Sequence, residues 1–156
     1  MLHVAIFLLL LGAANGTPVL LRLAMGKRLA RPLDGGLTLS DGHPLFGTSK
    51  TIRGIASSLA ATTGVAWALG YPPVMGAGIA AAAMLGDLFS SFIKRRLGMK
   101  SSHDAYGLDQ IPESLLPALV YRVQMGLSWD GVAWLILAFT ILDVILTRWL
   151  RQMRWS

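Results

Sequence analysis

The sequence predicts an all-α integral membrane protein of about five transmembrane helices. The N-terminus is expected outside, the C-terminus in the cytoplasm, and two functional loops on the cytoplasmic side. Three observations carry this expectation. Of the 156 residues, 54% are hydrophobic and only 14% are charged, against about 25% charged in an ordinary soluble domain. A soluble domain of this size buries only about 70% of the surface its unfolded chain exposes, which cannot hide so much apolar area. Second, apolar stretches alternate with polar breaks along the whole chain. Third, the net charge of +6 is spread unevenly among those breaks. The composition excludes a disordered chain, and the absence of cysteine excludes a disulfide scaffold.

Taken in order, helices are expected at about 1–21, 53–70, 74–96, 112–127 and 129–150, in one transmembrane domain spanning 1–156. A spanning helix needs about 20 apolar residues. The stretch from Met1 to Leu21 meets this with no charged side chain before Arg22. It has no Lys or Arg ahead of its apolar run and no Ala-x-Ala site, so it reads as a span rather than a signal peptide. The second stretch, Ile55 to Leu69, is shorter and is expected to extend into Arg53-Gly54. The third, Val74 to Ile93, is long enough and is dominated by small residues from Gly76 to Gly86, which let backbones approach closely. The fourth, Glu113 to Gly126, is again short and is expected to run on through Tyr121 to Leu127, with Pro112 and Glu113 in its first turn. The fifth, Trp129 to Leu150, suffices alone. The Gly/Ala-rich faces point to a homodimer.

The cations set the orientation. Arg22, Lys27, Arg28, Arg31, Lys50 and Arg53 lie between the first and second stretches. Lys94, Arg95, Arg96 and Lys100 lie between the third and fourth, and Arg148, Arg151 and Arg154 end or follow the fifth. The other two breaks hold none. Five crossings therefore place thirteen of the 14 cations on one side, which the positive-inside rule makes cytoplasmic. A nucleic-acid binder has no reason to segregate charge by alternate loops, so nucleic acid is excluded as a partner.

An ionisable side chain in hydrocarbon costs roughly 2.5–3.5 kcal/mol even on lenient insertion scales, so each one requires a reason. Asp87 lies about six residues inside the third stretch. Ser90, Ser91 and Lys94 follow it at i+3, i+4 and i+7 on one helix face. A carboxylate, two hydroxyls and an ammonium on one stripe suit a metal and phosphate; a buried ion pair of Asp87 with Lys94 or Arg95 is the equal alternative. Arg122 and Asp143 sit inside the fourth and fifth stretches, and a structural ion pair between them is the simplest account, with lipid-phosphate binding by Arg122 the other. Asn15, just before Gly16-Thr17-Pro18, is placed to satisfy backbone freed by Pro18.

Two cytoplasmic loops, about 24–52 and 97–111, hold the remaining polarity. In the first, Gly42 and Gly47 have P-loop separation, but Lys50 does not follow Gly47 directly and no strand can precede it, so a P-loop is rejected. Gly47, Ser49, Lys50, Thr51 and Arg53 at a helix N-terminus still make an anion site, with a plain loop anchor as the alternative. In the second loop, Asp109 stands just ahead of a helix start, free to take a divalent ion. His3, His43 and His103 have no zinc-ligand spacing and form no Ser-His-Asp set.

Gly86-Asp87-Leu88-Phe89-Ser90-Ser91-Phe92-Ile93-Lys94-Arg95, followed by Leu108-Asp109-Gln110, resembles the C-terminal signature of the CDP-diglyceride synthase superfamily. The chain is most similar to its small archaeal-type branch, the five-helix CDP-archaeol synthases. Pro44 to Gly54 matches that branch's first cytoplasmic loop, and Asn15-Gly16 its first helix. The resemblance implies a CTP-dependent cytidylyltransferase in the cytoplasmic membrane, its site facing the cytoplasm. A lipid phosphate, phosphatidate-like or isoprenoid ether, would attack the α-phosphorus of CTP and release pyrophosphate. The aspartates matching Asp87 and Asp109 would hold Mg²⁺, and Ser91, Lys94 and Arg95 would join them, with Lys50 and Arg53 facing the phosphates. Superfamily signatures carry a further aspartate where this chain has Pro112; either Glu113 takes over or the metal site has one acid fewer. Such chemistry asks for positioning and charge neutralisation, so neither a protein nucleophile nor a covalent intermediate is expected. Two other functions compete: an ion pathway along Asp87, Arg122 and Asp143, and an inactive lipid-binding relative.

Overall fold

The computed structural model describes residues 1–101, 105 and 107–153; the expectations on His103 and Arg154 lie outside them. Five helices follow one another: α1 (Leu2–Met25), α2 (Ile52–Ala68), α3 (Pro73–Arg96), α4 (Gln110–Tyr121) and α5 (Trp129–Met153). The described residues of α1, α3 and α5 are long and apolar enough to cross a membrane, and these are the three helices that are.

Local chemistry sets most of the ends. Thr51 caps α2, its Oγ1 accepting from Gly54 N at 3.1 Å, so the helix does take in Arg53 and Gly54. Pro73 opens α3, where its missing N–H costs nothing. Ser128 Oγ accepts from Gly131 N at 3.0 Å and starts α5. The expected run of the fourth helix to Leu127 is not there. Gly126 takes φ +62 and Leu127 N donates to Arg122 O at 2.8 Å, folding that segment into a turn. The 12 residues of α4 rise only about 18 Å.

Helix packing rests on glycines at specific places. A Cβ on Gly76 would meet Ala66 and the Thr62 carbonyl of α2. On the face toward α4, a Cβ on Gly78 would strike the Tyr121 phenol, and one on Gly86 the Pro112 carbonyl. The register 78 with 121 and 86 with 112 makes α3 and α4 antiparallel. The buried core joins Phe7, Leu10, Leu11 and Ala14 of α1 to Ile79, Ala80 and Ala83 of α3 and to Leu135 and Phe139 of α5. Outside it, Trp67, Val74, Val123, Leu142 and Ile145 stay exposed, an apolar coat of the kind that faces lipid.

The first loop is folded rather than slack. Leu33 N donates to Lys50 O (2.8 Å) and Ile52 N to Arg31 O (3.1 Å), pairing the loop's two ends around Pro32 and Thr51. A hairpin around Thr38 and Pro44 closes its tip. The loop meets the chain after α3, where Ser49 N donates to Ser101 Oγ at 3.2 Å. At the opposite end of the bundle, the His3 ring lies against Gly126.

Candidate active site

The charged side chains gather where the two loops meet. Gly86 lets the start of α4 lie directly on α3, and this brings the Glu113 side chain beside Asp87. Lys50, carried in by the end of the first loop, donates to Asp87 Oδ1. Lys94, in the last turn of α3, puts its ammonium 2.5 Å from Asp109 Oδ1. Asp87 therefore pairs with Lys50 from another element, not with Lys94 or Arg95 from its own helix. Two lysines face three acids. Burial pushes the Lys50 ammonium's pKa down, but Asp87, Glu113 and, more weakly, Asp109 outweigh it and the net shift is upward.

Ser91 Oγ is buried within this cluster's helix with no hydrogen-bond partner, whereas Ser90 Oγ donates back to Asp87 O at 2.9 Å. Asp109 Oδ2 accepts from Ala105 N at 3.0 Å, and its Oδ1 has no partner besides the ammonium. Arg95, 3% exposed, donates to Lys100 O at 2.8 Å while its Nε has no partner. Its guanidinium borders a cavity of about 270 Å³ that Gly47, Thr48, Lys100 and Ser101 also line. Gly47 holds φ +90, and a Cβ there would press on both Ser101 and Arg95.

Other expected residues lie elsewhere. Arg53 donates to the carbonyls of Gly26 and Arg28, satisfying the end of α1 rather than reaching the acids. Thr51 is spent on its cap. Asn15 Nδ2 donates to Leu11 O at 3.2 Å; the carbonyl that Pro18 leaves without a donor is Ala14's, so Asn15 does not do what the sequence suggests. Arg122 and Asp143 do not pair. Arg122 donates to Leu127 O at 3.3 Å and stacks on Trp129, 4.3 Å from the ring centroid, at the end of α4 remote from the cluster. Asp143 accepts from Gln110 Nε2 at 2.8 Å, at the near end.

Three further residues shape the site and were not singled out by sequence. Asp34 accepts from Gly36 N (3.0 Å), Phe46 N (2.9 Å) and Gly47 N (3.0 Å). Burial alone would raise its pKa, but these backbone donors hold the carboxyl below its ordinary value. Arg96 pins the loop tip, donating to His43 O and Pro44 O, pairing with Asp41 at 2.7 Å and lying over Phe92. Gln110 is the third. The Asp34-Gly35-Gly36 turn signal could have found the first, and Gln110 stands in the Leu108-Asp109-Gln110 block without a role of its own there; nothing local marks Arg96.

The residues fit a hard divalent ion in kind. Among the described residues no three acids or histidines converge as a ready cage, yet the donors are all oxygen, Ser91 Oγ is orphaned, and two ammonium groups stand beside the carboxylates where cations are wanted.

A family model described as CarS-like, CDP-archaeol synthase, matches residues 73–152. The CDP-archaeol synthase of Pyrobaculum calidifontis is 35% identical over 144 residues, covering 86% of this chain and 81% of the relative. That of Aeropyrum pernix is 39% identical over 122 residues, covering 74% and 66%. A solved structure described as an intramembrane enzyme for archaeal membrane lipids biosynthesis superposes with a TM-score of 0.72 at 33% identity, covering 91% of this chain and 90% of that one.

Proposed function

The chain belongs to the CDP-archaeol synthase family, and we propose from that premise that its cluster of acids and lysines activates a lipid phosphate with CTP. It is an enzyme, a CTP-dependent lipid cytidylyltransferase. The substrate we assign is an isoprenoid ether lipid phosphate, as the relatives' name implies. An oxygen of the lipid phosphate attacks the α-phosphorus of CTP, a P–O bond forms, and the bond to the bridging oxygen of pyrophosphate breaks. A phosphate monoester dianion is already a nucleophile. No side chain has to remove a proton, so His43, which lines the cavity beside Arg95, is not needed as a base.

The observation that carries this reading is the pairing of Lys50 with Asp87 and Lys94 with Asp109 where the two loops meet. Asp87 and Asp109 are the residues that would hold Mg²⁺, with Glu113 beside Asp87 supplying the acid that Pro112 does not. When bound, Mg²⁺ neutralises charge on the triphosphate. Lys50 and Lys94 then have phosphate oxygens to pair with in place of carboxylates, Arg95 has its unpartnered Nε to offer, and all three offset the charge that develops on the departing pyrophosphate. Ser91 Oγ has a donor free for the same oxygens. Gly47, without a Cβ, leaves its backbone open beside Arg95.

In the membrane we place all five helices as one domain, with the N-terminus outside and both loops and the C-terminus in the cytoplasm, since the cations collect at the loop end. CTP then arrives from water and the lipid from the bilayer, meeting at their boundary. The ion-pathway alternative loses its continuity, because Arg122 faces the end of α4 away from Asp87 and Asp143. The inactive-relative alternative rested on Pro112, whose carbonyl packs on Gly86 and sets Glu113 against Asp87. Most small residues of α3 are buried within the chain, so the dimer we propose would rest on the exposed Ala56, Ala60 and Gly64 of α2, testable by mass in detergent.

The deciding experiment uses purified protein, labelled CTP, Mg²⁺ and a panel of lipid phosphates. Label should enter the lipid fraction only with a lipid phosphate present. Asp87→Asn should fold yet lose more than the roughly 100-fold that removing a mere supporting partner of a metal site costs. Full activity in that variant would sink the metal assignment.

A further inference from the structure

An acid inside a membrane helix requires a reason, and Asp143 has one that the reaction itself does not explain. It receives the Gln110 amide. We propose that Gln110, held by Asp143, is a positioning residue that fixes Asp109 for metal binding; this rests on the metal reading given above.

Gln110 is 4% exposed and directly follows Asp109 at the start of α4. Its Oε1 accepts from Gly107 N at 2.8 Å, and its Nε2 donates to Asp143 Oδ2 at 2.8 Å. Reversing the amide would set oxygen against a carboxylate and NH₂ against an N–H, so the chemistry permits one orientation. Asp143 lies in the middle of α5 and is a fixed reference. Through Gln110 that reference holds Gly107, whose φ of +85 bends the chain just ahead of Asp109.

The bend then dictates where the Asp109 carboxylate points. Asp109 N donates to Ala105 O at 3.0 Å, and Ala105 N donates to Asp109 Oδ2 at 3.0 Å. One carboxylate oxygen is thereby committed to the turn and the other, Oδ1, is turned to Lys94. The Ser114 hydroxyl donates to Gln110 O at 2.8 Å and ties the same residue to the body of α4. Gln110 makes no contact with substrate in this scheme. It acts through Asp109, and loss of a partner that orients a ligand costs about 10–100-fold in metal affinity.

The test reads metal binding and not turnover. Mn²⁺ replaces Mg²⁺ as a spectroscopic probe, with the full chain in detergent and free Mn²⁺ followed by electron paramagnetic resonance. Gln110→Leu should weaken Mn²⁺ binding about tenfold, with metal-free thermal unfolding confirming that the variant is folded. Asp143→Asn keeps an acceptor oxygen for the amide and should bind like the unsubstituted chain. Gln110→Glu alone sets two carboxylates face to face and should bind as poorly as Gln110→Leu. Combined with Asp143→Asn, it should recover, because the introduced amide at position 143 can donate to the introduced carboxylate.

Unchanged binding in Gln110→Leu, or no recovery in the exchanged pair, overturns the positioning role. Asp109→Asn separates the two levels. If it binds Mn²⁺ normally, or if the unsubstituted chain shows no saturable binding, the metal reading falls and the proposal with it. If Asp109→Asn is weakened while Gln110→Leu is not, the positioning role alone falls.

Discussion

The two ends of the helix bundle treat buried charge in opposite ways. At the loop end, Lys50, Lys94, Asp87, Asp109 and Glu113 come from four separate segments, two lysines against three acids. At the far end, Arg122 is satisfied by one carbonyl of the turn that follows its own helix and by the ring of Trp129 at the start of α5. A cavity of about 280 Å³ opens there too, lined by His3, Leu127, Ser128, Asp130 and Trp134, with Asp130 its one carboxylate and no lysine or arginine among the described residues that line it. The contrast separates two reasons for placing an ion in a membrane protein. A charge whose partners come from distant segments needs the whole fold to be correct and is available for exchange with a charged ligand. A charge answered locally only finishes a helix.

The contrast can be broken from either end. The largest effect is expected for Lys50→Met, which leaves the Asp87–Glu113 pair without its nearest cation; label transfer should fall on the order of 100-fold, comparable with loss of one charge-stabilising donor. Next comes Gly86→Ala, whose new Cβ must push the Pro112 backbone away from α3. Overpacking of this kind costs about 1–3 kcal/mol, to be read as a lowered midpoint of thermal unfolding in detergent. Activity should fall further than stability, because the same shift parts Glu113 from Asp87.

A smaller effect is expected from acid. The Asp34 carboxyl is held below its ordinary value of 3.8 in the folded loop. A depressed carboxyl stabilises fully above its unfolded pKa and loses that contribution as pH falls through the folded one. Protection of the Phe46 and Gly47 amides against hydrogen exchange should therefore hold at neutral pH and fade below about pH 3.8. Asp34→Ala should lack that protection throughout. The smallest effect belongs to the far end. Arg122→Ala should cost about 1 kcal/mol, the worth of a lost hydrogen bond and an exposed stacking contact, and leave label transfer within about twofold. A large loss of activity there would erase the distinction between the two ends.

What the sequence made legible follows from the range of the interactions involved. Apolar stretches and the face shared by Asp87, Ser91 and Lys94 are helix-local, and they were readable. So was Asp109 ahead of a helix start. Partner choice was not, because Lys50 reaches Asp87 across 37 positions and nothing in either segment records the match. Arg122 and Asp143 were paired by depth in an assumed fourth span. The Gly126 turn shortens that helix and puts the two at opposite ends of it. Arg53 and Thr51 sat in a phosphate-like motif, yet the ends of α1 and α2 claim both. Gly86 reads as one more small residue in a small-residue helix, and only the approach of Pro112 reveals its particular use.

In the five-crossing arrangement proposed above, the brevity of α4 has a mechanical consequence for the bilayer. Its helical part rises about 18 Å, well under the roughly 30 Å of a hydrocarbon core. Lipid beside a short segment relieves the mismatch by thinning. The thinning would fall along the one helix that carries Glu113 and follows Asp109. A headgroup sliding past that flank would have less depth to cover before meeting the carboxylates. Lengthening α4 by a turn at its far end would then slow the use of a long-tailed lipid phosphate more than that of a short-chain, detergent-soluble one.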